Sequence, residues 1–182
     1  MGLRNRGDFL QEDCFFVTTS CHNFLHVFEG DPYYNILVQS LGFVGKKYEA
    51  EYLAYVLMPN HLHFIVYFRK ENHLSSLMRD FKKFTSGEIR RLVEEDGRLE
   101  LLEKLKYSVK EQKFKLWQDR FDDVSIRSRK VLETKLNYIH ENPLQEHWNL
   151  VPRPELYPYS SAAFYEFGVQ PDLELTHYLE FF

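Results

Sequence analysis

Short apolar runs alternate with amphipathic stretches along the chain, and their order predicts a mixed α+β fold. Runs rich in aromatic and β-branched residues, which are typical of strands, occur at Phe15–Thr19 and from His61 to about Phe68. Another strand is predicted from about Glu49 to Met58, and the turn signal Pro59-Asn60 separates it from His61. We therefore expect these last two strands to pair antiparallel.

Helical periodicity and helix-boundary residues predict four helices. Asp31-Pro32 resembles an N-cap followed by proline at the first helical position, and it opens a helix that runs to about Lys47. A second helix is expected from Leu74 to about Glu94, and a short one from Glu100 to Lys110. The last helix begins near Ser128 and ends at Pro143, because proline cannot continue it.

Apolar residues repeat at helical spacing in the three longer helices and predict which side of each faces the core. In the first helix these positions are Ile36, Leu37, Ser40 and Leu41. In the second they are Leu77, Phe81, Phe84 and Ile89. In the last they are Val131, Leu132, Leu136 and Ile139.

The order of elements predicts a fold class. We expect a fourth strand between Lys113 and Ile126, which completes the order β-α-β-β-α-β. This is the ferredoxin-like split βαβ pattern, an antiparallel sheet with helices on one face, here followed by a C-terminal helix. The 182 residues fit a single domain with a core at about 13–127, the last helix at about 128–143, and a proline-punctuated segment, 144–182, that wraps over the domain.

Composition narrows the class of protein. With 44% hydrophobic residues the chain can fill a core, and it has no apolar run long enough to predict a transmembrane helix. The first residues lack the apolar segment of a signal peptide. The two cysteines, Cys14 and Cys21, are too few for a disulfide framework, so we expect reduced thiols in a cytoplasmic protein.

Charge is distributed unevenly along the chain. The formal net charge of −4 argues mildly against a nucleic-acid partner, yet basic residues outnumber acidic ones on the second predicted helix. These residues include Lys82, Lys83, Arg90 and Arg91. Either they form a segregated basic surface, or the helix simply presents a solvated face of mixed charge.

The most informative pattern is His61-Leu62-His63 at the start of a predicted strand. Residues i and i+2 of a strand point to the same face, so the two imidazoles should project side by side. Two neutral imidazoles make half of a metal site, which needs at least one more ligand. The alternative is a pair of polar residues on the solvated face of a half-buried strand.

The last helix carries Tyr138 and Asn142 four residues apart, on a shared face outside its apolar stripe. One interpretation is a structural tyrosine that buries its ring and leaves its hydroxyl in water. The other is a tyrosine nucleophile aimed at a metal-bound phosphate, with Asn142 as the third metal ligand. Pro143 follows Asn142 directly, which disfavours a helical backbone at the asparagine.

Four segments, in this order, resemble the motifs of the single-tyrosine HUH transposases, where the letters denote histidine–hydrophobic–histidine. The segments are Leu57-Met58-Pro59-Asn60-His61-Leu62-His63, Trp117-Gln118-x-Arg120-Phe121, Tyr138-Ile139-His140-x-Asn142-Pro143 and Tyr157-Pro158-Tyr159-Ser160-Ser161. The resemblance is to the REP-associated tyrosine transposase branch of bacterial genomes, and it spans roughly Phe15 to Tyr165.

The resemblance implies a metal-dependent DNA transposase that cleaves and rejoins hairpin-flanked single-stranded DNA. Tyr138 matches the catalytic tyrosine, which would become linked to a 5′ phosphate and release a 3′ hydroxyl. His61 and His63 match the pair that binds Mg²⁺ or Mn²⁺, and Asn142 matches the third metal ligand.

The resemblance also implies partners and a location. The expected partner is single-stranded or hairpin DNA, with no membrane partner. Some relatives act as dimers and others as monomers, so a homodimer is one of two expected states. The implied location is the bacterial cytoplasm, on the nucleoid when DNA is bound.

We expect DNA contacts from two groups of side chains. Phosphate contacts are expected from Lys82, Lys83, Thr85, Ser86, Arg90 and Arg91. Contacts to unpaired bases are expected from Trp117 and Arg120, although a buried core aromatic is the alternative for Trp117.

Two other functions stay open at this point. A domesticated relative would bind single-stranded or hairpin DNA without cutting it. An ordinary metal hydrolase would use a metal-activated water at the histidine pair instead of a tyrosine.

Overall fold

The fold is organised around a four-stranded antiparallel sheet in the computed structural model, which describes residues 13–108 and 113–181. The strands in chain order are β1 (Cys14–Ser20), β2 (Ala50–Met58), β3 (His61–Phe68), β4 (Lys106–Ser108), β5 (Lys113–Phe114) and β6 (Asp122–Ser125). The central sheet has the order β2-β3-β1-β6, and β4 pairs with β5 in a small separate sheet. This order, with every neighbouring pair antiparallel, is the predicted ferredoxin-like one.

Five α-helices lie within the part of the chain that the structure describes. They are α1 (Asp31–Lys47), α2 (Leu74–Glu95), α3 (Leu99–Lys104), α4 (Arg129–Glu141) and α5 (Ala162–Phe167). Ser128 caps α4, since its side-chain oxygen accepts a hydrogen bond from the backbone N–H of Val131 at 3.3 Å. Gly30, rather than Asp31, occupies the cap position of α1, and the Asp31 carboxylate instead accepts a hydrogen bond from the Tyr159 hydroxyl.

Each face of the sheet buries its own core. Alternate residues of β1 divide between the two, because Phe15 joins the cluster beneath α1 and α2 whereas Phe16 joins the cluster beneath α4. β2 and β3 are buried on both faces, which accounts for their nearly continuous apolar sequences. The face beneath α4 carries the histidine pair, so that is where the candidate site lies.

The C-terminal segment is hydrogen-bonded to β2. The backbone N–H of Leu57 donates to the Tyr159 carbonyl at 2.9 Å, and that of Ser161 donates to the Tyr55 carbonyl at 2.9 Å. The Tyr157 hydroxyl donates to the Leu57 carbonyl at 2.8 Å. These bonds satisfy backbone groups along the outer strand of the sheet, which would otherwise be an open edge.

Three local predictions need correction. Phe84 is 56% exposed, because the buried row of α2 runs through Phe81, Thr85 and Ile89. Val131 is also exposed, since it lies in the first turn of α4. The predicted helix Glu100–Lys110 is shorter, because α3 ends at Lys104 and β4 begins at Lys106, while Lys110 itself lies outside the described residues.

None of the helices within the described ranges combines the length and the apolar character needed to cross a bilayer.

Replacing Gly45 by alanine should destabilise the protein. A Cβ atom at this buried position of α1 would lie 2.7 Å from Cε2 of Tyr52. The Tyr52 ring cannot easily yield, because its hydroxyl donates to the Leu41 carbonyl at 2.9 Å. We expect a loss of about 1–3 kcal/mol in the free energy of unfolding, measured by urea denaturation.

Gly87→Ala is the matched control for this prediction. Gly87 also lies in a helix, and a Cβ there would meet nothing within 4 Å. Alanine at this position should stabilise α2 by about 0.5–1 kcal/mol. A Gly45→Ala variant as stable as the parent would contradict the packing described.

Candidate active site

The register of β1 with β3 sets the surroundings of His63. Thr18 lies directly opposite His63, and the Thr18 hydroxyl is 2.8 Å from its Nδ1. The other ring nitrogen, Nε2, is buried with no hydrogen-bond partner. A buried imidazole nitrogen without a partner is costly unless something absent from the protein chain binds it.

His61 is oriented by the preceding residue. The Asn60 amide nitrogen donates to the Phe24 carbonyl at 3.0 Å, so its oxygen is the atom that lies 2.6 Å from His61 Nδ1. Nδ1 therefore carries the proton, and Nε2 carries a lone pair. The Nε2 atom lies 3.2 Å from the side-chain oxygen of Asn142.

These atoms fit a divalent cation. His61 Nε2 and the Asn142 oxygen face each other as two acceptors, an arrangement that a cation would stabilise. Neighbouring ligands of an octahedral Mg²⁺ ion lie about 3 Å apart, close to the spacing seen here. Within residues 13–108 and 113–181 no three His, Cys, Asp or Glu side chains form a metal-binding group, so a site at the histidine pair would need an oxygen such as that of Asn142.

Burial keeps both histidines neutral. It lowers the pKa of His61 to about 4 and that of His63 to about 3. The charge that His61 would carry if protonated, and that of Lys135, lower the pKa of His63 further. Neutral imidazole is the form that binds metal ions. The pair is therefore ready to act as ligands throughout the neutral pH range.

Asn142 keeps its place beside His61 despite the proline after it. Its backbone is right-handed helical, with φ −56° and ψ −44°, and it opens a 3₁₀ turn that spans Asn142–Leu144. The side chain is buried. The conformational bias from Pro143 is thus overcome by the surrounding structure.

Tyr138 lies against the histidine pair. Its ring centre is 5.2 Å from that of His63 and 5.9 Å from that of Phe16, both edge to face. The side chain is 43% exposed, so a substrate can approach it. The Lys135 ammonium lies 4.5 Å from the Phe16 ring centre and 5.9 Å from the Tyr138 ring centre, which adds a positive charge beside the tyrosine.

Phe16 organises this group, and the sequence reasoning missed it. Its ring stacks on His63 with the centres 5.4 Å apart and the planes 18° from parallel. Phe16 therefore supports the histidine on one side and the tyrosine on the other. The sequence shows only that Phe16 lies two strand positions before Thr18. That spacing points to the histidines only once the pairing of β1 with β3 is known.

One cavity joins the predicted residues. It has a volume of about 380 Å³, and His61, His63, Tyr138 and Asn142 all line it. Other parts of the wall come from Thr18, Ser20, Phe24, His26, Asn60, Gln145, His147 and Trp148. Three side chains that could hold a metal ion and an accessible hydroxyl side chain in one cavity can support a phosphoryl-transfer reaction.

His140 takes no part in this cavity. Its Nε2 lies 2.9 Å from the Ser161 hydroxyl, which connects α4 to the C-terminal segment. The imidazole is partly buried between α4 and Tyr165. Its position indicates a structural role.

The structure places Thr85 and Trp117 in the core rather than on a surface. The Trp117 indole N–H donates to the Thr85 hydroxyl at 2.9 Å, and the ring packs against Phe28 and Phe81. Both residues are buried, so neither can contact DNA without a rearrangement. For Trp117, the alternative prediction of a buried core aromatic is therefore the correct one.

Lys82 is also engaged within the protein. Its ammonium donates to the carbonyls of Gln118 and Arg120 at 2.9 Å each, and burial lowers its pKa to about 8. These two bonds fasten α2 to the segment before β6. The Ser86 hydroxyl is engaged within α2 itself, where it donates to the Lys82 carbonyl at 2.7 Å.

The remaining basic candidates are exposed but stand apart from the tyrosine. They are Lys83, Arg90, Arg91 and Arg120. Arg90 pairs with Glu94 at 2.8 Å, and Arg91 pairs with Glu88. The helix α2 packs on the opposite face of the sheet from α4, so its basic residues do not join the cavity.

Comparisons with known proteins bear on the family and the fold. Residues 17–142 match the model of a protein family described as IS200-like transposases. No curated protein matches the sequence. The chain is similar in structure to a REP-associated tyrosine transposase bound to a REP hairpin, with a TM-score of 0.65 and 21% identity over 97% of this chain and 91% of that one.

A second solved structure, a putative transposase from Deinococcus radiodurans, is 14% identical, with a TM-score of 0.47 over 78% of this chain and 97% of that one. At such identities, the resemblance to the first structure concerns the fold. The family match extends from β1 to Asn142, so it includes all four residues that the cavity brings together.

The burial of His140 predicts a pH dependence of stability. Burial lowers its pKa to about 4 in the folded protein, whereas an unfolded histidine titrates near ~6.5. Below about pH 6.5 the histidine of the unfolded chain therefore binds a proton that the folded protein does not. The free energy of unfolding falls for this reason as the pH drops from about 6.5 towards 4. Between pH 7 and pH 5 the free energy of unfolding of the wild type should fall by up to about 2 kcal/mol more than that of His140→Gln, which has no titrating ring.

Urea denaturation of both proteins at the two pH values measures this difference. Glutamine can keep a hydrogen bond to Ser161, so the variant should fold. Equal losses in the two proteins would show that His140 is not held neutral by burial.

Proposed function

The chain belongs to the IS200-like transposase family, and from that premise we propose that it cleaves and rejoins hairpin-flanked single-stranded DNA through a 5′-phosphotyrosine intermediate. The observation that carries the proposal is the contact between Tyr138 and His63 inside the cavity shared with His61 and Asn142. An exposed hydroxyl-bearing side chain thus lies beside three side chains that would hold a divalent ion, and such an ion assists phosphoryl transfer.

His61, His63 and Asn142 are the residues that would hold Mg²⁺ or Mn²⁺. When bound, the ion would polarise a phosphoryl oxygen and offset the charge that develops there. The partnerless Nε2 of His63 and the facing acceptors of His61 and Asn142 support this assignment.

Tyr138 supplies the nucleophile. Its hydroxyl oxygen attacks the scissile phosphorus and loses its proton to solvent, and a new phosphorus–oxygen bond forms. The bond from phosphorus to the 3′ oxygen of the preceding nucleotide breaks, and that oxygen takes up a proton as a free 3′ hydroxyl. The bond energy is conserved in the phosphotyrosine, so a 3′ hydroxyl can attack it in reverse and rejoin the strand without ATP.

Two other residues support Tyr138. Lys135 lies one turn before it on α4, with its ammonium on the same side as the ring, where it can attract a phosphate oxygen. Phe16 fixes the ring from beneath. Four exposed basic residues lie away from the cavity, namely Lys83, Arg90, Arg91 and Arg120. We assign them to phosphates of the flanking hairpin. A structurally similar protein has a hairpin as its ligand, which supports this part of the proposal.

Tyr138→Phe should abolish strand cleavage while leaving DNA binding intact. The change removes only the attacking oxygen, so cleavage should fall by at least about 10³-fold. The measurement uses single-stranded DNA that carries the hairpin flanking the gene, with a label on the 3′ side of the cut. The wild type should form a covalent adduct that survives a denaturing gel, and the variant should form none.

Tyr48→Phe is the matched control, because Tyr48 bonds to Asp80 on the side of the sheet away from the cavity. This control should form the adduct as the wild type does. Continued cutting by Tyr138→Phe would identify an ordinary metal hydrolase. Hairpin binding without any cutting by the wild type would identify a non-cleaving DNA-binding protein.

His63→Ala should remove metal binding along with cleavage. Loss of one ligand should weaken Mn²⁺ binding by at least about 100-fold, measured by calorimetric titration of the protein without DNA. His73→Ala changes an exposed histidine that lies just before α2, and its Mn²⁺ affinity should equal that of the wild type. Unchanged Mn²⁺ affinity in His63→Ala would exclude the proposed ligand set.

A further inference from the structure

Four aromatic side chains that line the cavity have no part in the reaction as described, namely Phe24, His26, His147 and Trp148. We call three of them, Phe24, His26 and Trp148, the aromatic platform. The Trp148 ring stacks on His26, with the centres 5.1 Å apart and the planes 30° from parallel. Trp148 also contacts His61, at 5.9 Å between ring centres.

Trp148 and Tyr138 stand at opposite ends of the histidine pair. Tyr138 contacts His63, Trp148 contacts His61, and the two histidine rings lie 4.8 Å apart between them. A phosphate held at the histidines would therefore have the tyrosine on one side and the tryptophan on the other.

Phe24 is held towards the cavity under backbone strain. Its side chain is 61% exposed, and both Asn23 and Phe24 have a φ of +53°, in the left-handed region that non-glycine residues rarely adopt. Such strain costs about 1–3 kcal/mol per residue and persists only where surrounding contacts hold it. Here the Asn60 side chain donates to the Phe24 carbonyl while also orienting His61.

Stability alone does not explain a strained and exposed phenylalanine. An exposed aromatic ring and a stacked aromatic pair that line one cavity provide surfaces on which unpaired nucleic-acid bases can stack. The same asparagine bonds to Phe24 and to His61, so it ties one member of the platform to the histidine pair.

The direction of the reaction then selects one base. In an in-line displacement the attacking and leaving oxygens lie on opposite sides of phosphorus. Tyr138 attacks from the His63 end, so the leaving 3′ oxygen and its nucleotide lie towards Trp148. We propose that the aromatic platform stacks the unpaired base immediately 5′ of the scissile phosphate and so holds the leaving oxygen opposite Tyr138. This inference rests on the proposed function.

The first test combines a variant with an altered substrate. The probe is the flanking hairpin DNA with its adjacent unpaired bases, and an abasic site replaces the base 5′ of the mapped cut. In the wild type this should lower kcat/KM for cleavage about 5- to 150-fold, the range expected for one base–aromatic stack. Trp148→Leu should show a similar loss with intact DNA and little further loss with abasic DNA.

An abasic site one position 3′ of the cut is the substrate control, because its effect should be the same in the wild type and in Trp148→Leu. Trp148 is partly buried against the cluster beneath α4, so leucine there could also disturb the packing. Trp148→Phe keeps an aromatic ring and should restore most of the rate that Trp148→Leu loses. Phe24→Ala should also weaken the response to the abasic site. Phe43→Ala, which removes an equally exposed ring from α1, should not. Equal abasic penalties in the wild type and in Trp148→Leu would overturn the proposal.

A binding measurement separates failure of this inference from failure of the proposed function. Base stacking should quench the fluorescence of Trp148 when the probe binds to Tyr138→Phe, which cannot cut. The quenching should disappear when the stacked base is removed, or when Trp148 is replaced by Phe. If the variant shows base-dependent quenching but the wild type forms no adduct, the platform stands and the transposase reaction is rejected. If the wild type forms an adduct but the variant shows no base-dependent quenching, only the platform is rejected.

Discussion

The antiparallel pairing of β1 with β3 is the interaction on which the site depends. It sets Thr18 opposite His63, and it puts Phe16 on the same face as both histidines. A shift of one residue would turn every side chain of the strand to the other face, so the histidines would enter the core beneath α1 and α2. The register is held from both sides, because each face of these strands buries its own cluster of apolar residues.

The second requirement is that α4 crosses this face at a fixed position. Leu132, Leu136 and Ile139 anchor it in the core, which leaves the neighbouring Tyr138 at the rim of the cavity. The bond between His140 and Ser161 ties the helix to the C-terminal segment, and that segment is bonded in turn to β2. The nucleophile and the histidine strand are thus held by the same sheet, with the rigidity that a reaction geometry needs.

The two faces of the sheet have different roles. The face beneath α1 and α2 contains packed aromatic and aliphatic side chains, and the Trp117 indole there donates to the Thr85 hydroxyl. The polar atoms without a partner on this face are two hydroxyls, those of Thr19 and Ser40. The opposite face carries a buried and a half-buried neutral histidine, and one imidazole nitrogen of the buried one has no partner. Such groups lower stability unless a ligand binds them, and they concentrate where a protein carries out its function. The strained turn at Asn23 and Phe24 beside them belongs to the same pattern.

Local sequence periodicity determined most of the elements and the functional side chains that share one element. The alternation in β3 set His61 and His63 on one face, and helical spacing set Tyr138 beside Asn142, because these relations depend only on backbone geometry within a strand or a helix. Tertiary structure alone decided which elements meet. It brought Phe16, Asn60 and Trp148 to the histidines and moved Trp117 and Thr85 into the core. These placements depend on strand register and on helix position, which follow from the packing of the whole chain and from no local pattern.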